Sequence, residues 1–213
     1  MRFALLLPAV LVTLAVAGCS IDDDGPRRTQ SRDVAAFTRV ESDGAVDVRL
    51  HVGEPRRVRV RAGEDVIADV GTEVRDGTLH VTFDHGGWGG SAVVVEASVP
   101  KLEGIELSGS GDVEADGIAA DTFELRSEGS ADIVLTGSAA ALDVDLEGSG
   151  DADLADLAAR TARVSVSGSG GADVRADERL DVSVDGSGDV RYHGDPEVSE
   201  RIDGSGDLSR AES

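Results

Sequence analysis

A four-residue motif, Gly-Ser-Gly-Asp, recurs six times in the second half of the chain and constrains the fold more than any other feature. The first glycines of successive copies lie 20, 19, 20, 18 and 18 residues apart. The second glycine is replaced once, by Ala131, and the aspartate once, by Gly171. Self-similarity at such a period is typical of stacked structural repeats. The copies are Gly109-Ser110-Gly111-Asp112, Gly129-Ser130-Ala131-Asp132, Gly148-Ser149-Gly150-Asp151, Gly168-Ser169-Gly170-Gly171, Gly186-Ser187-Gly188-Asp189 and Gly204-Ser205-Gly206-Asp207.

Apolar and polar residues alternate strictly on both sides of the motif. Before the third copy, Leu142, Val144 and Leu146 alternate with Asp143 and Asp145. This period of two predicts strands with one buried face. Each repeat is therefore a strand, a Gly-Ser-Gly turn, a second strand and a second turn. A β-solenoid of stacked coils explains the identical columns better than a run of antiparallel hairpins, because stacking rewards identity at equivalent positions.

The N-terminal part contains a degenerate copy of the same pattern. Val40–Leu50 aligns with the repeat, with Gly44 at the first glycine and Asp47 at the aspartate. Alternation also predicts strands at 58–61, 78–83 and 92–99. The repetitive domain is therefore expected to cover 35–211, with irregular strands at its N-terminal end.

The first residues have the parts of a secretory signal: a positive start, an apolar run and small residues before a cleavage site. The apolar run is shorter than the roughly 20 residues that a membrane-spanning helix needs. Val16-Ala17-Gly18-Cys19 resembles the lipobox of bacterial lipoproteins, in which the cysteine thiol is acylated. We therefore expect removal of 1–18, lipid attachment at Cys19 and a flexible tether over 19–34.

Together these segments resemble a known family. The lipobox, Phe37-Thr38-Arg39-Val40, Val99-Pro100-Lys101-Leu102 and the serial motifs are similar to DUF2807, the auto-transporter adhesin head GIN domain. The likeness extends over about residues 35–210. It implies an all-β fold, a right-handed two-sheet β-superhelix of pectin-lyase-like shape, in which the motifs make tight turns between the sheets. Adhesion is the role that the resemblance implies.

The motif residues are expected to be structural. Glycine permits positive φ and close approach of backbones, and the serines can bond one another or the backbone. Aspartates stacked at about 5 Å repel by roughly 3 kcal/mol at an effective dielectric near 20. We expect each carboxylate to accept backbone N–H bonds within its own turn. A ladder of calcium ions held by the carboxylates is the alternative.

The charge balance excludes some partners. The net charge is −22, and residues 101–213 hold 27 acidic and 9 basic side chains, a net of −18. Nucleic acid is excluded because phosphate binding needs Lys and Arg. An anionic lipid surface is disfavoured for the same reason. The final coil is open to another copy, and an uncovered sheet edge invites pairing, so a homo-oligomer is compatible with the sequence.

No catalytic site is expected. The histidines His51, His80, His85 and His193 show no zinc-ligand spacing. Asp143 and Asp145 share one face of a strand, as solvated residues do. Trp88, in a Gly-rich segment, is the candidate ligand contact.

The expected function is that of an extracytoplasmic, lipid-anchored, non-enzymatic adhesion or interaction module, held to a membrane by Cys19. Its partner is an unidentified protein or glycan, and no cofactor is expected. Two alternatives remain: a carbohydrate-active enzyme on a pectin-lyase-like β-helix, which needs acids with Arg or Lys in one groove, and a structural component of the cell envelope.

Overall fold

The computed structural model describes residues 26–83 and 93–211, which form fifteen strands and no helix. They build a β-solenoid of about five turns, which confirms the all-β, stacked-coil architecture. Within the described residues, no helix is long and apolar enough to cross a membrane. The strands are β1 Arg27–Arg32, β2 Arg39–Gly44, β3 Val46–Val52, β4 Arg57–Gly63, β5 Gly71–Arg75, β6 Thr78–Phe83, β7 Val93–Val99, β8 Gly104–Gly109, β9 Val113–Gly129, β10 Ile133–Gly148, β11 Ala152–Gly168, β12 Ala172–Gly186, β13 Val190–His193, β14 Glu197–Gly204 and β15 Leu208–Arg210.

The strands form two walls around a single core. Sheet 1 has the order β1-β4-β7-β3-β9-β10-β11-β12-β13-β15. Sheet 2 has the order β5-β6-β2-β8, followed by the C-terminal halves of β9 to β12 and by β14. The long strands β9 to β12 belong to both walls, so hydrogen bonding continues from one wall to the other.

The Gly-Ser-Gly-Asp motifs form the corner at which the chain passes from sheet 2 to sheet 1. Gly129, Gly148 and Gly168 lie in parallel register in successive coils. The φ of Gly148 is +124°, and a Cβ there would overlap the carbonyl oxygen of Gly129. Both facts require glycine, because a side chain would strain the backbone and push the coils apart.

In β9 to β12 the second corner is a bend and not the turn that the sequence indicated, whereas residues 194–196 do interrupt the chain between β13 and β14. β9 to β12 are strands of 15 to 17 residues that continue through the bend. Register shifts occur at this corner, as between Leu135 and Gly137. The first corner always takes the same number of residues, so the bend absorbs the variation in repeat length.

The core is thin and aliphatic, as the alternation predicted. Phe123 is the largest fully buried side chain, and it packs in one cluster with leucines, isoleucines and valines from both sheets, among them Leu135, Leu154 and Leu180. Burying one such aliphatic or aromatic side chain contributes about 1.5–3 kcal/mol relative to leaving it exposed. Each coil adds only a few of them, so stability depends on stacking.

The degenerate copy joins the stack, but not at its end. Gly44 lies beside Gly109 on one side and Phe83 on the other, so β2 and β3 lie between β6–β7 and β8–β9. The alignment of Gly44 and Asp47 with the repeat is confirmed by this register. The strands predicted at 58–61, 78–83 and 92–99 are β4, β6 and β7.

The N-terminal end of the solenoid is closed by strands that reverse direction. β1, β4 and β5 pair antiparallel with their neighbours, and the turn after Gly63 buries Val66 and Val70 against the core. Residues 27–32 were expected in the flexible tether of 19–34, and that expectation was wrong for this part. They form β1 because their backbone pairs with the open edge of β4.

The C-terminal end has no such cover. All residues of β14 are exposed except the half-buried Ile202, and Leu208 of β15 is half-buried. Val198 keeps 36% of its surface exposed. The last coil therefore leaves apolar groups and a strand edge open to solvent.

Candidate interaction surface

Two rows of side chains cross the outer face of sheet 1 at the spacing of the strands. We call them the aspartate row and the mixed row. The aspartate row runs Arg61, Val94, Asp47, Asp112, Asp132, Asp151, Gly171, Asp189, Asp207. The mixed row runs Arg59, Glu96, Arg49, Glu114, Val134, Asp153, Asp173, Arg191, Ser209.

The aspartate row is held by hydrogen bonds between coils. Asp112 Oδ1 accepts from the backbone N–H of Asp132 at 3.1 Å, and Asp132 Oδ1 accepts from Asp151 at 3.3 Å. The same bond joins Gly171 to Asp151 at 2.6 Å. The expectation that each carboxylate bonds within its own turn was wrong. Each of these carboxylates accepts the N–H of the next coil instead, and this bond offsets the repulsion between neighbouring charges.

Gly171 interrupts the aspartate row and leaves an acidic cleft of about 440 Å³, which Asp153, Asp173 and Asp189 line. Asp173 is paired there with His193 Nε2 at 2.7 Å and with Arg191 at 3.8 Å. In the part of the chain that the structure describes, no group of three or more His, Cys, Asp or Glu side chains is arranged to hold a metal ion.

The opposite end of the same face is basic. β1 and β4 contain six arginines and no carboxylate. We define the arginine surface as Arg27, Arg57, Arg59 and Arg61, all exposed and belonging to β1 or β4. Arg61 lies 3.6 Å from Glu96. Arg56, Arg57 and Arg59 pair with no carboxylate among residues 26–83 and 93–211.

Beside the arginine surface lies a groove of about 420 Å³ that the sequence interpretation missed. Its walls include Arg49, Arg57, Arg59, Glu96 and Glu114. The alternation of Arg and Val along 56–61 was a visible signal for its basic side. The acidic side could not be found in the same way, because Glu114 reaches Arg49 only through the pairing of β3 with β9.

The groove also brings Ser98, His51 and Asp116 side by side on three adjacent strands. His51 Nδ1 contacts Asp116 Oδ1, with more than half of each side chain exposed. The Ser98 hydroxyl donates to the carbonyl oxygen of Pro55 at 2.8 Å. Its proton is therefore directed away from His51, whereas a nucleophilic serine donates to its base.

The outer face of sheet 2 contains an ion pair that links the N-terminal strands β1–β7 to the repeats from β8 onward. Arg39 of β2 reaches past Gly104 to Glu124 of β9, with a nitrogen–oxygen distance of 2.5 Å. A Cβ at Gly104 would lie 2.9 Å from this guanidinium. The hydrogen bond from Arg39 lowers the pKa of Glu124 below its ordinary value, against the opposing effect of partial burial.

The other residues expected to matter fall in three places. The motif residues lie at the first corner. Asp143 and Asp145 lie on the outer face of sheet 2, beside Arg163 and Arg126 respectively. Cys19, Trp88 and His85 lie outside the described residues, so the lipid anchor and the ligand contact stay predictions.

Comparisons with known proteins agree on the architecture. The family model described as "Putative auto-transporter adhesin, head GIN domain", DUF2807, matches residues 36–196. No curated protein matches the chain. A crystal structure of a "putative adhesin" from Bacteroides fragilis has a TM-score of 0.72 at 21% identity, covering 87% of this chain and 97% of the other.

Two crystal structures from Parabacteroides distasonis have the same fold. One, described as a "putative lipid binding protein", has a TM-score of 0.59 at 21% identity, with 89% of this chain and 98% of the other covered. The second, a "putative adhesin", has a TM-score of 0.57 at 22% identity, with 88% and 98% covered. At these identities the likeness shows the fold alone.

Proposed function

We propose a function from the premise that this chain belongs to the DUF2807 head GIN domain family: it is a non-enzymatic adhesion module that acts outside the cytoplasm and is held to a membrane by a lipid on Cys19. The family description and the adhesin descriptions of its structural neighbours support an extracytoplasmic binding role. The lipobox at Cys19 supports the anchor.

The observation that carries the binding role is the outer face of sheet 1. Its two rows present charged side chains at a fixed spacing of about 4.8 Å on a stacked backbone. Such a face needs no rearrangement to bind a partner of matching spacing, so little conformational entropy is lost. Its C-terminal part is acidic around Asp153, Asp173 and Asp189. The partner is therefore a protein or glycan surface with clustered positive charge.

Neutralising the acidic cleft tests this role. The mature chain is applied to an array of defined surface proteins and glycans, together with Asp153→Asn/Asp189→Asn. The control is Asp143→Asn/Asp145→Asn, which removes the same charge from the outer face of sheet 2. We expect retention of cationic array members, lost in the cleft variant and kept in the control. Equal retention by both variants, or no retention by the wild type, contradicts the proposal.

Metabolic labelling tests the anchor separately. Cells expressing the full chain are grown with a clickable fatty-acid analogue, and Cys19→Ala is the control. We expect labelled wild type in the membrane fraction and unlabelled variant. An unlabelled wild type contradicts the lipid anchor and leaves the binding experiment unaffected.

A carbohydrate-active enzyme is the second candidate, because the groove at Arg49 combines acids with arginines, as that alternative requires. Against it, Glu114, Asp116 and Glu96 each pair with a neighbouring Arg or His, with 39–68% of the acidic side chains exposed. Release of reducing ends from a panel of polysaccharides, abolished in Glu114→Gln, would establish this activity. We expect no release above that of the variant.

A further inference from the structure

We propose that the arginine surface docks on anionic phospholipid headgroups. The inference deepens the proposed function and rests on it for the position of the membrane. The surface itself exists without acylation, so it can be tested without the anchor.

The chemistry of the surface fits phosphate. Arg57 and Arg59 project outward from β4, and the strand pairing places Arg27 and Arg61 beside them on the same face. Guanidinium groups bind phosphate oxygens bidentately. Because Arg57 and Arg59 have no carboxylate partner in the described residues, their donors face solvent, and binding a phosphate breaks no ion pair at these two positions.

The proposed anchor brings this surface to the membrane. Eight residue steps separate Cys19 from Arg27, the first residue of β1. Even fully extended, they span about 28 Å. The β1 edge is therefore held within that distance of the lipid. The tether raises the local concentration of headgroups, so a weak electrostatic contact suffices.

The net charge of the whole chain does not oppose this contact. Sheet 1 places β15 nine strands away from β1, which is about 43 Å at the usual strand spacing. The Debye length at physiological ionic strength is about 8 Å. At the arginine surface, the charges of the last coils are therefore screened. The net charge of the sequence disfavoured an anionic lipid surface, but it did not show that β1 pairs with β4 and that six arginines lie together at this end of sheet 1.

A second copy of the chain is the competing occupant, because an open, acidic C-terminal end could pair with a basic N-terminal end. The observations favour the membrane. The arginine surface is on the outer face of sheet 1, whereas an end-to-end contact would use strand edges. The predicted anchor is also joined by eight residue steps to β1, at the end of sheet 1 that carries the arginine surface, and β15 is at the other end.

Vesicle co-sedimentation tests the proposal with the mature chain carrying Cys19→Ser, which prevents acylation. The vesicles are phosphatidylcholine with or without phosphatidylglycerol, at low and at physiological salt. The test variant is Arg57→Gln/Arg59→Gln. The control is Arg160→Gln/Arg201→Gln, which removes the same charge from β11 and β14, where both side chains are at least 62% exposed. Circular dichroism verifies that both variants fold.

We expect the wild type to sediment with phosphatidylglycerol vesicles and not with pure phosphatidylcholine, and to be released by salt. Each arginine near an anionic surface raises partitioning about fivefold, so the test variant should bind about 25-fold more weakly. The control should bind like the wild type. Equal weakening in both variants, or no binding by the wild type, overturns the proposal. So does sedimentation velocity showing that the wild type is an oligomer that Arg57→Gln/Arg59→Gln dissociates.

Should Arg57→Gln/Arg59→Gln fail to fold, Arg57→Gln alone replaces it with an expected fivefold loss. Fatty-acid labelling of Cys19 is independent of this experiment. If the protein is labelled at Cys19 but its unacylated form does not bind anionic vesicles, the proposed function stands and this inference is wrong.

Discussion

The strands from β8 onward and those before β8 build parts of the same solenoid in different ways. The later strands are parallel, repeat one pattern of burial and stack on glycine corners, and they end uncovered at β14 and β15. The earlier strands break the pattern: β1, β4 and β5 run antiparallel, and Phe83 occupies the first-glycine column. Repetition can extend a solenoid but cannot end it, because an identical coil always offers another free edge.

The two parts also differ in charge. Residues 101–211 hold 26 acidic and 9 basic side chains, whereas the described residues up to 100 hold 11 acidic and 10 basic ones. We call the described part up to residue 100 the cap. Six of its ten arginines lie on β1 and β4. The irregular part thus closes the fold and supplies the positive surface, while the repeats supply length and negative charge.

The largest expected effect comes from removing core volume in either part. Phe123→Ala in β9 and Leu79→Ala in β6 each remove a fully buried side chain, with an expected loss of about 3–5 kcal/mol. If the two parts unfold together, circular dichroism in urea shows one transition, displaced by either substitution. Two transitions, each sensitive to only one substitution, would show that cap and repeats are separate cooperative units.

A matched glycine pair separates backbone strain from coil stacking. Gly148 and Gly53 both have positive φ, at +124° and +102°, but a Cβ at Gly148 meets the coil below, while one at Gly53 meets nothing within 4 Å. Gly53→Ala should cost about 1 kcal/mol from strain alone, and Gly148→Ala about 3 kcal/mol. Unfolding free energies measure both. Equal losses of unfolding free energy in the two variants would mean that the contact of a Cβ at position 148 with Gly129 does not destabilise the stack.

Substitutions at Asp132 separate the effect of the hydrogen bond in the aspartate row from the effect of its charge. Asp132 Oδ1 accepts from the backbone N–H of Asp151. Asp132→Ala should lower the free energy of unfolding by about 1 kcal/mol, because an acceptor is lost. Asp132→Asn keeps the acceptor and removes charge repulsion from both neighbours, so we expect no loss at low salt. A loss as large as that of the alanine variant would show that the charge itself is stabilising.

The Arg39–Glu124 pair, which joins cap and repeats, predicts a smaller, pH-dependent effect. The pKa of Glu124 is lowered in the folded protein from an ordinary value of 4.5, chiefly by the hydrogen bond from Arg39. Its contribution to stability is therefore complete above that value and is lost as pH falls through the folded pKa. For a partly exposed pair it should be below about 1 kcal/mol.

Arg39→Gln should therefore lower the free energy of unfolding at neutral pH. It should also reduce the further loss of that free energy as the pH falls below about 4.5. Urea unfolding at a series of pH values measures both. Arg201→Gln removes an exposed partner of Asp203 in the last coil. This control should leave the profile unchanged. The same profile in wild type and Arg39→Gln would show that Arg39 does not stabilise the charged form of Glu124.

Calcium should have the smallest effect. One oxygen of each of Asp112, Asp132 and Asp151 already accepts a backbone N–H. We expect added calcium to raise the melting temperature only slightly. A rise of about ten degrees or more that EDTA reverses would favour the calcium ladder.

Much of the regular part could be predicted from sequence, because its signals are local. The alternation around Leu142, Val144 and Leu146 reports which face of a strand is buried. The motif reports where the chain turns, and its repetition reports that coils stack. Even the degenerate copy at Gly44 was found by its spacing.

The rest was decided by contacts between distant segments. Alternation does not say which strand is the neighbour, so it could not place β2–β3 second in the stack or attach β1 to β4. The bonds of the aspartate row and the pairing of His51 with Asp116 join residues of different coils. Net charge is a sum over the chain, and only the order of strands in sheet 1 separates a basic end from an acidic one.

The sequence alone determined the coil, because each coil repeats a local pattern of burial and turning. The neighbours of each coil, and therefore the surfaces, depended on the tertiary structure, because hydrogen bonding between strands depends on position in the stack and not on position in the chain.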